Sequence, residues 1–279
     1  MEKEATRGDF PANPVDKPHY LLEFCDEFSE SSVDEGKWVP FYLPQWSSRN
    51  LAAANHSFED GHLVLKIDAD QPPWCPEYDG DIRCSSLQTG LFAGPVGSTL
   101  GQHRFNTASV VREAQVNRIT YAPRYGYFEL RAKSIMRPGN HVALWMIGYE
   151  DSPERSAEIC ICEIYGKNAN STSSVIGFGV HPWADSKIVD EFKEIPLPIN
   201  IADFHIYAAE WTPTHIDFYV DNRKIGAVHQ SPEYPMQFML GIYERPQEIR
   251  RDAMSRGDAE YPKKFVIDYF RAYQPVGGY

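Results

Sequence analysis

No run of 18 apolar residues occurs in this chain, so no segment reads as a membrane-spanning helix. Positive charge is scarce: Lys and Arg total 27 against 39 Asp and Glu, a formal net charge of −12. That balance argues against nucleic acid and anionic membrane as partners, since both require basic surfaces. Long amphipathic periodicity is missing as well. The best helical candidate, residues 246–257, is short and charged and reads as a surface loop. Cysteines number only five, which leaves at least one unpaired. Cys75 and Cys84 flank a turn-forming stretch at 76–81 and could meet across a hairpin as a disulfide or stand as two free thiols. Cys160-Ile161-Cys162 has no second C-x-C and no histidine pair at zinc-like spacing, so it is not read as a metal site. No charged-then-apolar leader opens the chain; residues 1–18 are polar and proline-rich and are expected to form a flexible arm. On its face the sequence is that of a cytoplasmic protein, or of a secreted one if a leader precedes it.

What is present points to a globular β protein. Hydrophobic residues make up 42% and charged residues 24% of 279, enough for a large core. All-β sandwiches of this length often form one unit, and no repeat or internal linker interrupts the chain, so residues 19–279 are expected to be a single domain. Period-two alternation is clear in His62-Leu63-Val64-Leu65-Lys66-Ile67 and in Tyr127-Phe128-Glu129-Leu130-Arg131-Ala132-Lys133. Asp221-Asn222 reads as the polar turn of a hairpin. Many short strands between Gly, Pro, Asn and Asp turns imply an all-β sandwich. Aromatic residues reach 13%, with 16 tyrosines and 6 tryptophans, more than a core needs and suited to a carbohydrate cleft.

The stretch with most chemistry is Glu158-Ile159-Cys160-Ile161-Cys162-Glu163. Its β-branched residues favour a strand. In a regular strand Glu158 and Glu163 would point to opposite faces, because their separation is odd. One inserted residue, a β-bulge, would return both to one face, and bulges often sit beside active sites. Two carboxylates facing one cleft are the equipment for glycosidic bond cleavage; the alternative is a pair of solvated surface glutamates.

The surrounding blocks decide between these. Glu158 to Glu163 resembles the E-x-D-x-x-E signature of glycoside hydrolase family 16, and Tyr125-Gly126-Tyr127-Phe128-Glu129-Leu130-Arg131-Ala132-Lys133 followed by Ala143-Leu144-Trp145-Met146 resembles that family's preceding strands. Asp26-Glu27-Phe28, Asp60-Gly61-His62-Leu63, Phe204-His205-Ile206-Tyr207, Glu210-Trp211-Thr212 and Ile267-Asp268-Tyr269-Phe270-Arg271-Ala272-Tyr273 resemble its other blocks, in family order. The resemblance implies a two-sheet β-jelly-roll sandwich with a concave substrate groove, Glu158 as nucleophile and Glu163 as acid/base. It also exposes two departures. Cys160 stands where the family has aspartate, and His141-Val142 where it has tryptophan-proline. A thiol, with an ordinary pKa of about 8.5, keeps part of the aspartate's hydrogen bonding and none of its charge, so Cys160 is an auxiliary group at most.

The resemblance implies further site residues. Trp145 is placed beside the catalytic strand, as a sugar platform or as core. His181 is placed to contact Glu163 or a substrate hydroxyl, or to serve structure alone; Trp183 beside it is a platform candidate. Trp46 and Arg49 are candidates for one end of the groove, and Glu244 for its floor or for a plain salt bridge. His141 either alters a subsite or caps a turn. Asp268 and Gly61 fall where the family often holds calcium, with Glu27 near enough to add a ligand, the alternative being an ordinary buried aspartate. The reading is therefore an endo-acting, retaining hydrolase of β-linked polysaccharide, with β-1,3- or mixed-linkage glucan favoured, no cofactor in the chemistry and a monomeric state. A transglycosylase or a non-catalytic carbohydrate-binding protein are the rivals, the second because of Cys160.

Overall fold

A computed structural model describes residues 8–246 and 260–279. Two antiparallel sheets pack face to face as the expected all-β jelly-roll sandwich. The larger sheet runs β14 (Arg223–Val228), β13 (Ile216–Val220), β12 (His205–Trp211), β7 (Gly126–Lys133), β16 (Lys263–Pro275), β3 (His62–Ile67), β2 (His56–Glu59), with β1 (Tyr20–Asp26) also on β16. The smaller runs β11 (Glu191–Leu197), β10 (Ser174–His181), β9 (Glu158–Tyr165), β8 (Asn140–Gly148), β15 (Met236–Glu244), β4 (Arg83–Gln88). A short pair, β5 (Gly90–Leu91) and β6 (Arg118–Ile119), lies apart. Alternation assigns the faces. On β7, Phe128, Leu130 and Ala132 enter the sandwich core, as do Val142, Leu144 and Met146 on β8 and Phe238, Leu240 and Ile242 on β15. The intervening residues of β8 and β15, among them Ala143, Trp145, Met239 and Tyr243, join a second apolar cluster on the other face of the smaller sheet.

The hairpin turns follow their residues. Asp60 and Gly61 join β2 to β3, and Asp221 and Asn222 join β13 to β14, all four with positive φ as a two-residue primed turn requires. Cys75 and Cys84 are free and buried, and the Cys75 thiol donates to Trp46 O, so the disulfide alternative is not realised.

Residues 8–18, expected to be a flexible arm, are instead docked on the outer face of the larger sheet. Phe10 N–H donates to Phe204 O, the Arg131 guanidinium grips Phe10 O, and Arg271 donates to Asn13 O at 2.8 Å. Composition alone missed this because the sheet supplies the donors. Residues 1–7, and all but the first residue of the 246–257 segment, lie outside the described residues.

The same face corrects the calcium expectation. Asp268 accepts from Arg131 at 2.5 Å and lies 3.3 Å from His62 Nδ1. Glu27 takes a two-pronged bond from Arg271 at 2.6 and 2.8 Å. Guanidinium groups hold Asp268 Oδ2 and both Glu27 oxygens, His62 faces Asp268 Oδ1, Gly61 serves its turn, and no His/Cys/Asp/Glu group suited to a metal occurs among the described residues. The residues do not fit calcium.

Candidate active site

The strand carrying the two glutamates contains the inserted residue that their spacing demands. Leu144 and Trp145 are adjacent on β8, yet they face Cys162 and Cys160 on β9. On the other side Gly177 and Gly179 face Glu163 and Cys160, two steps against three. Ile161 is the extra residue. Consecutive side chains Ile161 and Cys162 both enter the core, so Glu158, Cys160, Glu163 and Tyr165 all line one cleft on the outer face of the smaller sheet. Gly179 accommodates the irregularity: its φ is +150°, and a Cβ there would lie 2.2 Å from Glu191 O.

The cleft has a volume of about 730 Å3. Its floor is His141, Ala143 and Trp145 from β8 and Tyr243 from β15; His181 and loop residues His103 and Trp183 form one wall. Protein encloses the Glu158 carboxyl on most sides while leaving it open to the cleft. That enclosure pushes its pKa up to about 7, against the pull of a hydrogen bond from Trp183 Nε1 at 2.9 Å. Burial also raises Glu163, opposed by the Tyr165 hydroxyl, which donates to Oε1 at 2.8 Å. Burial first, and then the charges of Glu163 and Glu158, hold the Cys160 thiol well above its ordinary range, so it is neutral. His141 lies flat between Tyr165 and Tyr243, with centroids at 4.8 and 4.7 Å, and its Nε2 is 3.7 Å from Glu163 Oε1. Desolvation drives its pKa down to about 3, so the ring is a neutral neighbour of Glu163, not a cation.

The other expected residues divide. Trp145 lines the cleft floor while nearly buried, and its Nε1 donates to Tyr243 OH at 3.1 Å. Trp183 is 49% exposed and presents its ring to the cleft. His181 sits opposite Glu158 across the strand pair, stacks on Phe192 and hydrogen-bonds Asp190 at 2.6 Å. Three do not belong. Trp46 is fully buried in the apolar cluster that also holds Trp145 and Tyr243, does not line the cleft, and donates to Gln102 O. Arg49 lies over the Phe41 ring and bonds Gln115, outside the cleft lining. Glu244 is fully buried in its salt bridge with Arg83 at 3.2 Å. Of the residues the sequence reading missed, Tyr165 was accessible through alternation from Glu163; Tyr243, His103, Asp190 and Phe192 carried no local signal.

A β-sandwich that opens a cleft bearing two carboxylates and aromatic walls has the layout of a glycoside hydrolase. The chain belongs to glycosyl hydrolases family 16, whose model matches residues 77–269. It is 34% identical to a β-glucanase of Rhodothermus marinus, over 93% of this chain and 87% of the relative. It is 33% identical to the GlcNAcα1-4Gal-releasing endo-β-galactosidase from Clostridium perfringens, with a TM-score of 0.84 over 98% of this chain, and spans 66% of that chain. A laminarinase from Flavobacterium sp. UMI-01, at 21% identity and a TM-score of 0.60, covers 91% of this chain and is itself covered in full; it shares the fold.

Proposed function

We propose that this chain is an endo-acting, retaining hydrolase of β-linked polysaccharide. The observation that carries the reading is the bulge at Ile161, which turns Glu158 and Glu163 into one enclosed cleft. Glu158, once ionised, attacks the anomeric carbon, and the Trp183 indole N–H steadies the attacking carboxylate against the burial that raises its pKa. Glu163, held toward its protonated form by burial, gives a proton to the leaving oxygen and then takes one from water. No cofactor takes part. Trp145 and Trp183 supply flat apolar surface for sugar faces.

Two substrate readings follow from the relatives. A β-glucan is favoured by the Rhodothermus marinus β-glucanase, which aligns over most of both chains; 1,3- or mixed linkages are the form the sequence resemblance favours. A β-galactoside backbone is favoured by the Clostridium perfringens endo-β-galactosidase, whose TM-score of 0.84 exceeds the 0.60 of the laminarinase. Incubation with laminarin, mixed-linkage glucan and β-galactoside glycans, with products sized by mass spectrometry and the new anomer followed by NMR, separates them. Glu158→Gln should abolish cleavage, and Glu163→Ala should spare substrates with activated leaving groups. Monosaccharide as the sole early product, or inverted anomers, would refute the proposal; transfer to added sugar acceptors in preference to water would make it a transglycosylase.

A further inference from the structure

His103 (φ 49°), Glu150 (φ 55°) and Trp183 (φ 46°) are three of the ten non-glycine residues with left-handed backbone among the described residues. They come from separate loops, between β5 and β6, β8 and β9, and β10 and β11, and meet at one wall of the cleft. Such backbone is disfavoured for bulky side chains and persists where surrounding structure imposes it, often at functional sites. The contacts form a chain. Glu150 Oε1 accepts the buried backbone N–H of His103 at 2.5 Å. The His103 ring meets Trp183 edge-on at 4.7 Å and Trp145 at 5.0 Å. Trp183 Nε1 donates to Glu158 Oε2.

Two features make this more than packing. A second cavity, of about 480 Å3, lies against the same wall and is lined by Glu150, His103 and Trp183. Trp183 therefore stands between two open spaces. Cys160, the residue between the two cleft glutamates, is a neutral thiol and a weak donor, while the hydrogen bond that Glu158 accepts comes from Trp183. We propose that Glu150 and His103 are positioning residues: the Glu150 carboxyl fixes the His103 backbone, the His103 ring wedges between Trp145 and Trp183, and Trp183 so held orients Glu158. The inference rests on the reading of Glu158 as nucleophile for its kinetic consequence, and on the contacts alone for its structural one.

The test uses His103→Asn and Glu150→Ala. Asparagine tolerates left-handed backbone, so the first variant keeps the main-chain bond and removes only the ring. The Trp183 indole N–H signal, assigned by its loss in Trp183→Phe, is followed by NMR. It should move on Glu158→Gln, which confirms the bond, and move toward the free-indole position in both test variants; Glu150→Gln, which retains an acceptor, should restore it. On whichever polysaccharide the wild-type chain cleaves, His103→Asn should lower kcat by roughly 10–100-fold through misplacement of the nucleophile, with little further loss when combined with Trp183→Phe. An unmoved indole signal in folded His103→Asn, or losses that add in the double variant, overturns the proposal. If the wild type cleaves nothing, the hydrolase reading fails and the indole signal still decides the positioning chain.

Discussion

Tyr165 stands two residues beyond Glu163 on β9 and donates its phenolic hydrogen to Glu163 Oε1 at 2.8 Å. The bond opposes burial, because it favours the ionised carboxylate that burial disfavours. Tyr165→Phe should therefore raise the Glu163 pKa further. The acid would stay protonated to higher pH, and the basic limb of the pH–rate profile would move upward, measurable on any cleaved substrate. A downward move would mean that Tyr165 acts on Glu163 through something other than this bond.

Cys160 offers the complementary change. It is neutral because burial holds the thiol far above its ordinary range. Cys160→Asp would place a negative charge between Glu158 and Glu163, and like charge raises a carboxyl pKa. The basic limb should move up on the order of one pH unit. Unaltered limbs would show that charge at position 160 does not reach either acid; loss of turnover with the fold intact would show a pocket fitted to sulfur.

Two tryptophans separate core from cleft. Trp46 is fully buried and Trp183 is 49% exposed. Trp46→Ala should cost about 3–5 kcal/mol of stability, with oligosaccharide affinity normal in the folded fraction. Trp183→Ala should leave the melting temperature nearly unchanged and weaken both binding and turnover. Paired thermal melts and oligosaccharide titrations read both effects, and a reversed pattern would exchange the two assignments.

On the opposite face, arginines hold the acids once considered for calcium. Chelation with EDTA should leave the melting temperature unchanged, and added calcium should not raise it. Arg271→Ala, by contrast, strips its partner from Glu27 and a neighbouring charge 3.7 Å away from buried Glu129. The expected loss is about 2–3 kcal/mol by denaturant titration, below the full cost of breaking a buried pair because Glu27 is partly exposed. A calcium-dependent rise in melting temperature would refute this reading.

Much of the sandwich was legible because alternation reports which face of a strand is buried, as on β7, and because Asp221-Asn222 names its own turn. The bulge was legible from parity: Glu158 and Glu163 cannot share a face without it. Residues whose place depends on distant backbone were not. Trp46 looks like a sugar platform beside its polar neighbours, yet the Gln102 carbonyl and the cluster around Trp74 bury it. For Glu244 the salt-bridge alternative holds, and the 8–18 segment is docked, because Arg83, Arg131 and Arg271 reach them from strands distant in sequence. His103 and Glu150 left no trace at all, because nothing in a sequence marks a non-glycine residue forced into left-handed backbone.

The extra residue at Ile161 makes parity, and not lettering, the quantity this strand must keep. Exchanging a side chain between the two glutamates leaves both in the cleft, as the cysteine at 160 already shows. Removing Ile161 would leave the glutamates four positions apart, an even separation that holds both on the cleft face of a regular strand. The neighbouring strands would then pair with this one without a skipped residue, and Cys162 and Ile164 would still enter the core. What the deletion changes is the span and mutual aim of the two carboxylates, so it should be seen as a kinetic defect before it is felt as a folding one.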